Sequence, residues 1–171
     1  WLDYHPKNSL RDFNLVTSNR FVQLFGERLR KWHTDDCHED LSRLTRLTDV
    51  DVVCNEEVSS KTFSRFMQSV NPTIKTLEVS LDYQNDLESL VLTRFTDLTS
   101  LKLNSYEGFS IAPFPYLERL KVWSGPIGQS FIHALNTHVL RKLSLYSVED
   151  CQDVLKAIAA CPSSTSLTKL T

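Results

Sequence analysis

The sequence predicts an α/β chain wound as a solenoid, a parallel sheet that gains one strand per coil with helices on the opposite side. Three observations predict it. A short apolar pattern, L-x-x-L-x-L with conservative replacements, recurs along the 171 residues. Its copies lie closer together than ordinary βαβ units allow. Stretches of helical periodicity separate many of them.

The copies are LRDFNL from Leu10, LRKWHT from Leu29, LTDVDV from Leu47, IKTLEV from Ile74, LTSLKL from Leu98, LERLKV from Leu117, LRKLSL from Leu140 and LTKL from Leu167. Successive starts are separated by 18 residues (Leu29 to Leu47) at the least and 27 (Leu47 to Ile74) at the most. A βαβ crossover takes about 30 residues or more, so a doubly wound sheet is disfavoured and one strand per coil is expected. One further match, LESLVL from Leu87, falls out of phase. It reads as a helix capped by Asn85 or Asp86 with Leu87, Leu90 and Val91 on one face, an extra strand being the alternative.

Other helices are expected where apolar residues recur at i, i+3, i+4 and i+7. Phe63, Phe66, Met67 and Val70 do so before the Asn71-Pro72 stop. Phe21, Leu24 and Phe25 form a shorter set, as do Phe131, Ile132 and Leu135. Val154, Leu155, Ile158 and Ala159 form the last, ahead of Pro162. Residues 1–171 read as a single domain of about seven to eight coils. Because the chain starts at Trp1 and its only methionine is Met67, it is expected to be a piece of something longer.

Composition narrows the function. With 41% hydrophobic and 23% charged residues the chain reads as a globular one, and its net charge of −2 gives no bulk attraction to nucleic acid or an anionic membrane. No apolar run approaches the roughly 20 residues that span a bilayer, so no membrane partner is expected. The four cysteines lack CxxC spacing, and the one Asn-X-Thr triplet, Asn71-Pro72-Thr73, is disqualified by its proline. Both point to a reducing, intracellular location, cytoplasm or nucleus.

With the repeat in place, the chain resembles the leucine-rich repeat family, closest to the irregular intracellular type seen in ribonuclease-inhibitor-like proteins and the repeat regions of F-box proteins. Cys37 in LRKWHTDDC and Asn55 in LTDVDVVCN occupy the family's Asn/Cys position, and Cys161-Pro162 matches its Cys-Pro turn. Asp82, Tyr106, Gly125 and Val148 depart from it at that position. The resemblance implies a curved parallel sheet on the concave face, helices on the convex face, and recognition of a protein partner.

Side chains alternate along a strand, so residues between the inward leucines face outward. Early coils then present Asp49, Asp51 and Glu78. Later coils present Lys102, Arg119, Lys121, Trp123, Lys142 and Tyr146, a basic patch holding two aromatic rings. Trp123 and Tyr146 share one position in adjacent coils and are expected side by side. Such a patch suits an acidic or phosphorylated protein segment. Two bland alternatives stand beside it: a merely solvated face, and a Trp123 tucked under the turn at Ser124 to Gly128.

Function is therefore expected to be non-enzymatic protein interaction. The resemblance suggests the substrate- or adaptor-recognition region of an F-box-type ubiquitin ligase. A nucleic-acid-binding repeat domain, similar to those of mRNA-export factors, is the alternative, and a scaffold docking through its repeat ends is another. No cofactor is expected. No phosphate-cradling GxxxxGK, GxGxxG or GxSxG occurs among only four glycines. The cluster His33, Asp35, Asp36, Cys37 and His38 has ligand types but lies along a strand whose neighbours face opposite ways, so no metal site is assigned. Cys151 and Cys161 have His133 and His138 only in another coil, so no catalytic residues are assigned.

Overall fold

The computed structural model describes residues 28–35, 37–54, 58–81, 92–104, 114–126, 140–149, 151–160 and 166–170. The repeat copy at Leu10 and the helices expected around Phe21, Leu87 and Phe131 lie outside those residues. Seven strands are described: β1 (Lys31–Thr34), β2 (Asp49–Cys54), β3 (Thr76–Leu81), β4 (Ser100–Asn104), β5 (Arg119–Pro126), β6 (Lys142–Glu149) and β7 (Lys169–Leu170). They form one sheet in chain order, and every neighbouring pair is parallel.

Each strand starts two residues after the first residue of a repeat copy, as Lys31 follows Leu29 and Lys169 follows Leu167. The register keeps the copies aligned across the whole sheet. Lys31, Asp49, Thr76, Ser100, Arg119, Lys142 and Lys169 form one rung, and Trp32, Val50, Leu77, Leu101, Leu120, Leu143 and Leu170 form the next. All but Leu170 of that second rung are buried, and so are Thr34, Val52, Val79, Leu103 and Val122 two positions on. A one-residue slip would turn these side chains out and the charged ones in, which is why the apolar alternation fixes the register.

The approach to each strand repeats in atomic detail. The Arg30 carbonyl accepts from the Thr48 and Asp49 N–H groups at 2.8 and 3.0 Å, and the Thr48 carbonyl from Lys75 and Thr76 at 2.7 and 3.0 Å. Lys75, Thr99, Glu118 and Arg141 carbonyls do the same for the starts of β4, β5, β6 and β7 in turn. The Thr99 and Thr168 hydroxyls add a third bond to the Lys75 and Arg141 carbonyls. Neighbouring strands are thereby stitched at their starts as well as along the ladder.

Ahead of several strands the chain runs in three-residue turns. Leu44 N–H donates to the Leu41 carbonyl and Leu47 to Leu44; Phe95 donates to Leu92 and Leu98 to Phe95; Leu117 donates to Phe114. Every one of these apolar residues is buried, so an apolar side chain every third position faces one way.

Two helices are described. The first, α1 (Ser60–Ser69), lies between β2 and β3, with the Ser59 hydroxyl accepting from Thr62 N–H as N-cap. It buries the expected Phe63, Phe66 and Met67, followed by Val70. Arg94, from the turns ahead of β4, donates to the Met67 and Gln68 carbonyls at its far end and so satisfies groups a helix end leaves open. The second, α2 (Cys151–Ala160), lies between β6 and β7. Here the expectation fails in part: Ile158 is buried, but Leu155 is 51% exposed and Ala159 is exposed as well. A stripe including both i, i+1 and i+4, i+5 is wider than the contact this helix makes. No helix among the described residues is long and apolar enough to cross a membrane.

Candidate binding surface

The outward side chains lie between the buried rungs. Lys31, Asp49, Thr76, Ser100, Arg119, Lys142 and Lys169 make the first outward rung. His33, Asp51, Glu78, Lys102, Lys121 and Ser144 make the second, and Val53, Ser80, Asn104, Trp123 and Tyr146 the third. Adjacent rung positions sit about 4.8 Å apart. Acidic residues thus gather on β2 and β3, and basic ones on β4 to β7.

The acidic end is largely matched within the chain. His33 Nδ1 lies 2.7 Å from Asp51 Oδ2, and the Asp49 carboxylate accepts from the Thr48 hydroxyl at 2.7 Å. Glu78 makes an ion pair with Lys102, the seam where the two charge signs meet. Sequence reasoning placed Asp49, Asp51, Glu78 and Lys102 on one face but not their pairing, which depends on side-chain rotamers.

At the basic end two rings and two cations are assembled. Trp123 and Tyr146 stack with centroids 5.3 Å apart and planes 24° from parallel. Lys121 Nζ sits 3.7 Å from the Trp123 centroid and 5.1 Å from that of Tyr146, and Lys102 Nζ 4.7 Å from Trp123. A cation this close to an indole face is attracted by the ring quadrupole, about 0.5–1 kcal/mol at an exposed site. Trp123 is therefore held on the sheet face by its neighbours. That geometry explains an indole beside two charges: both ammonium heads lie over its ring.

Burial, and then repulsion from the Lys121 ammonium, hold Lys102 below the ordinary lysine range, against the opposing pull of Asp51. The folded state thus binds this proton less tightly than the unfolded chain. The charged form of Lys102 works against folding at neutral pH, and this opposition fades as pH rises through its lowered value towards the ordinary one. Arg119, Lys142 and Lys169 are exposed and have no ion-pair partner among the described residues. On β5 to β7 these are the charges left for something else to meet.

Immediately after Tyr146 the backbone departs from the strand. Ser147 has φ of 51°, the left-handed region that a residue with a Cβ visits at a cost, and the β5–β6 pairing passes from Trp123↔Tyr146 directly to Gly125↔Val148. The Ser147→Gly substitution should therefore stabilise the fold by up to about 1 kcal/mol, measured by chemical denaturation, and Ser147→Val should destabilise it by a similar amount. Destabilisation by glycine would show that the Ser147 side chain itself holds the turn.

Elsewhere, a groove of about 590 Å³ lies at the strand-start edge, lined by Lys75, Asp97, Thr99, Tyr116, Glu118 and Arg141 among others. Its charges pair with one another, Lys75 with Asp97 at 2.9 Å and Arg141 with Glu118 at 3.9 Å, so it leaves no unmatched charge for a ligand. Among the described residues no group of three or more His, Cys, Asp or Glu side chains converges as a metal site would require. Comparison with family models, with curated proteins and with solved structures returns no match for this chain.

Proposed function

We propose that the chain is a leucine-rich repeat solenoid serving as a non-enzymatic protein-interaction module inside the cell, and that its outward sheet face over β4 to β7 receives an acidic or phosphorylated segment of a partner protein. The observation that supports it most is the Trp123–Tyr146 stack with Lys121 over it, flanked by exposed Arg119 and Lys142 that lack partners among the described residues. Arginine and tryptophan are the residue types that most often dominate binding energy. The strand order supports the solenoid reading, since each coil contributes one strand beside its sequence neighbour. On this reading the chain belongs to a larger protein that presents substrates or adaptors, as the repeat region of an F-box-type ubiquitin ligase does.

Nucleic acid fits the same surface less well. The two rings already stack on each other and carry a lysine, so a base must displace an existing contact before it can stack. A peptide array graded in acidic and phosphorylated residues, probed beside single-stranded RNA, tests the proposal. Binding should favour the acidic peptides and fall about 10- to 100-fold in the Arg119→Glu, Lys142→Glu double variant. Equal binding by that variant defeats the reading, and RNA preferred with a steep loss on added salt moves the assignment to nucleic acid.

A further inference from the structure

Cys37 lies in a turn and Cys54 ends a strand, 17 residues apart in the chain. The fold brings them together. Thr34 of β1 is registered with Val52 of β2, so two adjacent coils rise side by side and deliver Cys54 and the turn residue Cys37 to the same place. Both thiols are reduced and each is 2% exposed. Their sulfurs are 2.7 Å apart. Packed heavy atoms that merely touch keep about 3.5–4.0 Å between them, whereas a disulfide bond is about 2.05 Å. The two sulfurs are therefore in direct contact inside the core.

We infer that Cys37 and Cys54 form a redox-modifiable dithiol site, closed to a disulfide by a small-molecule disulfide such as glutathione disulfide. One protein thiolate attacks a glutathione sulfur, giving a mixed disulfide and releasing one glutathione thiolate. The second protein thiolate attacks the protein-side sulfur of that mixed disulfide, forming the Cys37–Cys54 bond and releasing the second glutathione. Two electrons pass from the protein pair to glutathione disulfide, and the two protons lost by the protein thiols reappear on the two glutathione thiols. Because both sulfurs are buried, the exchange waits on local opening and is slow, but its equilibrium is set by the folded geometry. The bond would tie the turn after β1 to the end of β2, in the coils that carry His33 and Asp51. This site is independent of the proposed binding surface.

Equilibration of the whole chain in glutathione buffers of graded ratio tests it, with a Cys151→Ser, Cys161→Ser background so that only the pair reports. Acid quench, alkylation and peptide mapping give the ratio of linked to reduced pair. If the fold holds the thiols ready, that ratio at fixed glutathione poise should be on the order of 30-fold or more higher in native buffer than in guanidinium chloride. The same mapping on the unmodified chain serves if the background variant fails to fold. A native ratio equal to or below the denatured one overturns the inference, as does glutathione retained on one cysteine in place of the Cys37–Cys54 link.

Discussion

Replacing Phe95 with alanine should remove about 3–5 kcal/mol of stability, the cost of truncating a fully buried ring. Phe95 is fully buried in the three-residue turns ahead of β4; its N–H donates to Leu92 and its carbonyl accepts from Leu98. Truncation removes the ring's transfer free energy and leaves a cavity that the turns and the register-locked strands around it cannot close. It also deletes the contact of the Arg94 guanidinium, 5.6 Å above the ring centroid, and Arg94 is the residue that holds the end of α1. Loss at Phe95 should therefore loosen α1 as well as β4. Tyr116, also an aromatic ahead of a strand but 65% exposed, is the control: Tyr116→Ala should change stability by no more than about 0.5 kcal/mol. Urea unfolding followed by fluorescence and circular dichroism gives both numbers. A Phe95→Ala loss below about 1 kcal/mol would mean the turns do not form a packed layer under the sheet.

The contrast between those two aromatics marks what the sequence could and could not supply. The strand starts were legible because the pattern L-x-x-L-x-L carries a period of two inside it, and any shift turns leucine outward. Every outward rung follows from that, including the meeting of Trp123 with Tyr146. The three-residue turns were legible only through a different period. Leu41, Leu44 and Leu47 share the i, i+3 spacing of a helix face, and only the missing i+4 partners distinguish the two. Reading LSRLTRL and LTRFTDL for a strict period of three would have found them. Leu155 misled for a related reason: amphipathic periodicity says which residues can share a helix face, not how much of that face its neighbour covers. Charge pairing was hidden because a rung list fixes positions and not rotamers, so Glu78 and Lys121 looked available when one is paired with Lys102 and the other lies on a ring. Cys37 and Cys54 were hidden in another way. Their separation of 17 is close to the 18 residues from Leu29 to Leu47, and that near-match was the available signal.

Trp123→Ala should separate binding from folding more sharply than any other substitution on the surface. Trp123 sits at the end of the β5 alternation, with Val122 buried beside it and its own ring on the outward side against Tyr146. Its loss removes the stack and the seats of Lys121 and Lys102, but opens no cavity among the buried leucines, so the fold should lose only about 1 kcal/mol. If the proposed partner docks on the stack, affinity should fall by about 2 kcal/mol or more, roughly 30-fold, because the same ring anchors the contact and holds Lys121 in position. Lys121→Met tells the two contributions apart, since it keeps a stem over the indole while removing the ammonium. A loss for Lys121→Met that approaches the Trp123→Ala loss assigns the energy to charge, and a small one assigns it to the ring. Titration calorimetry with the tightest peptide from the array measures each. Unchanged affinity for both variants, with the proteins folded, would make the stack a solubilising cover for the sheet and move recognition to Arg119 and Lys142 alone.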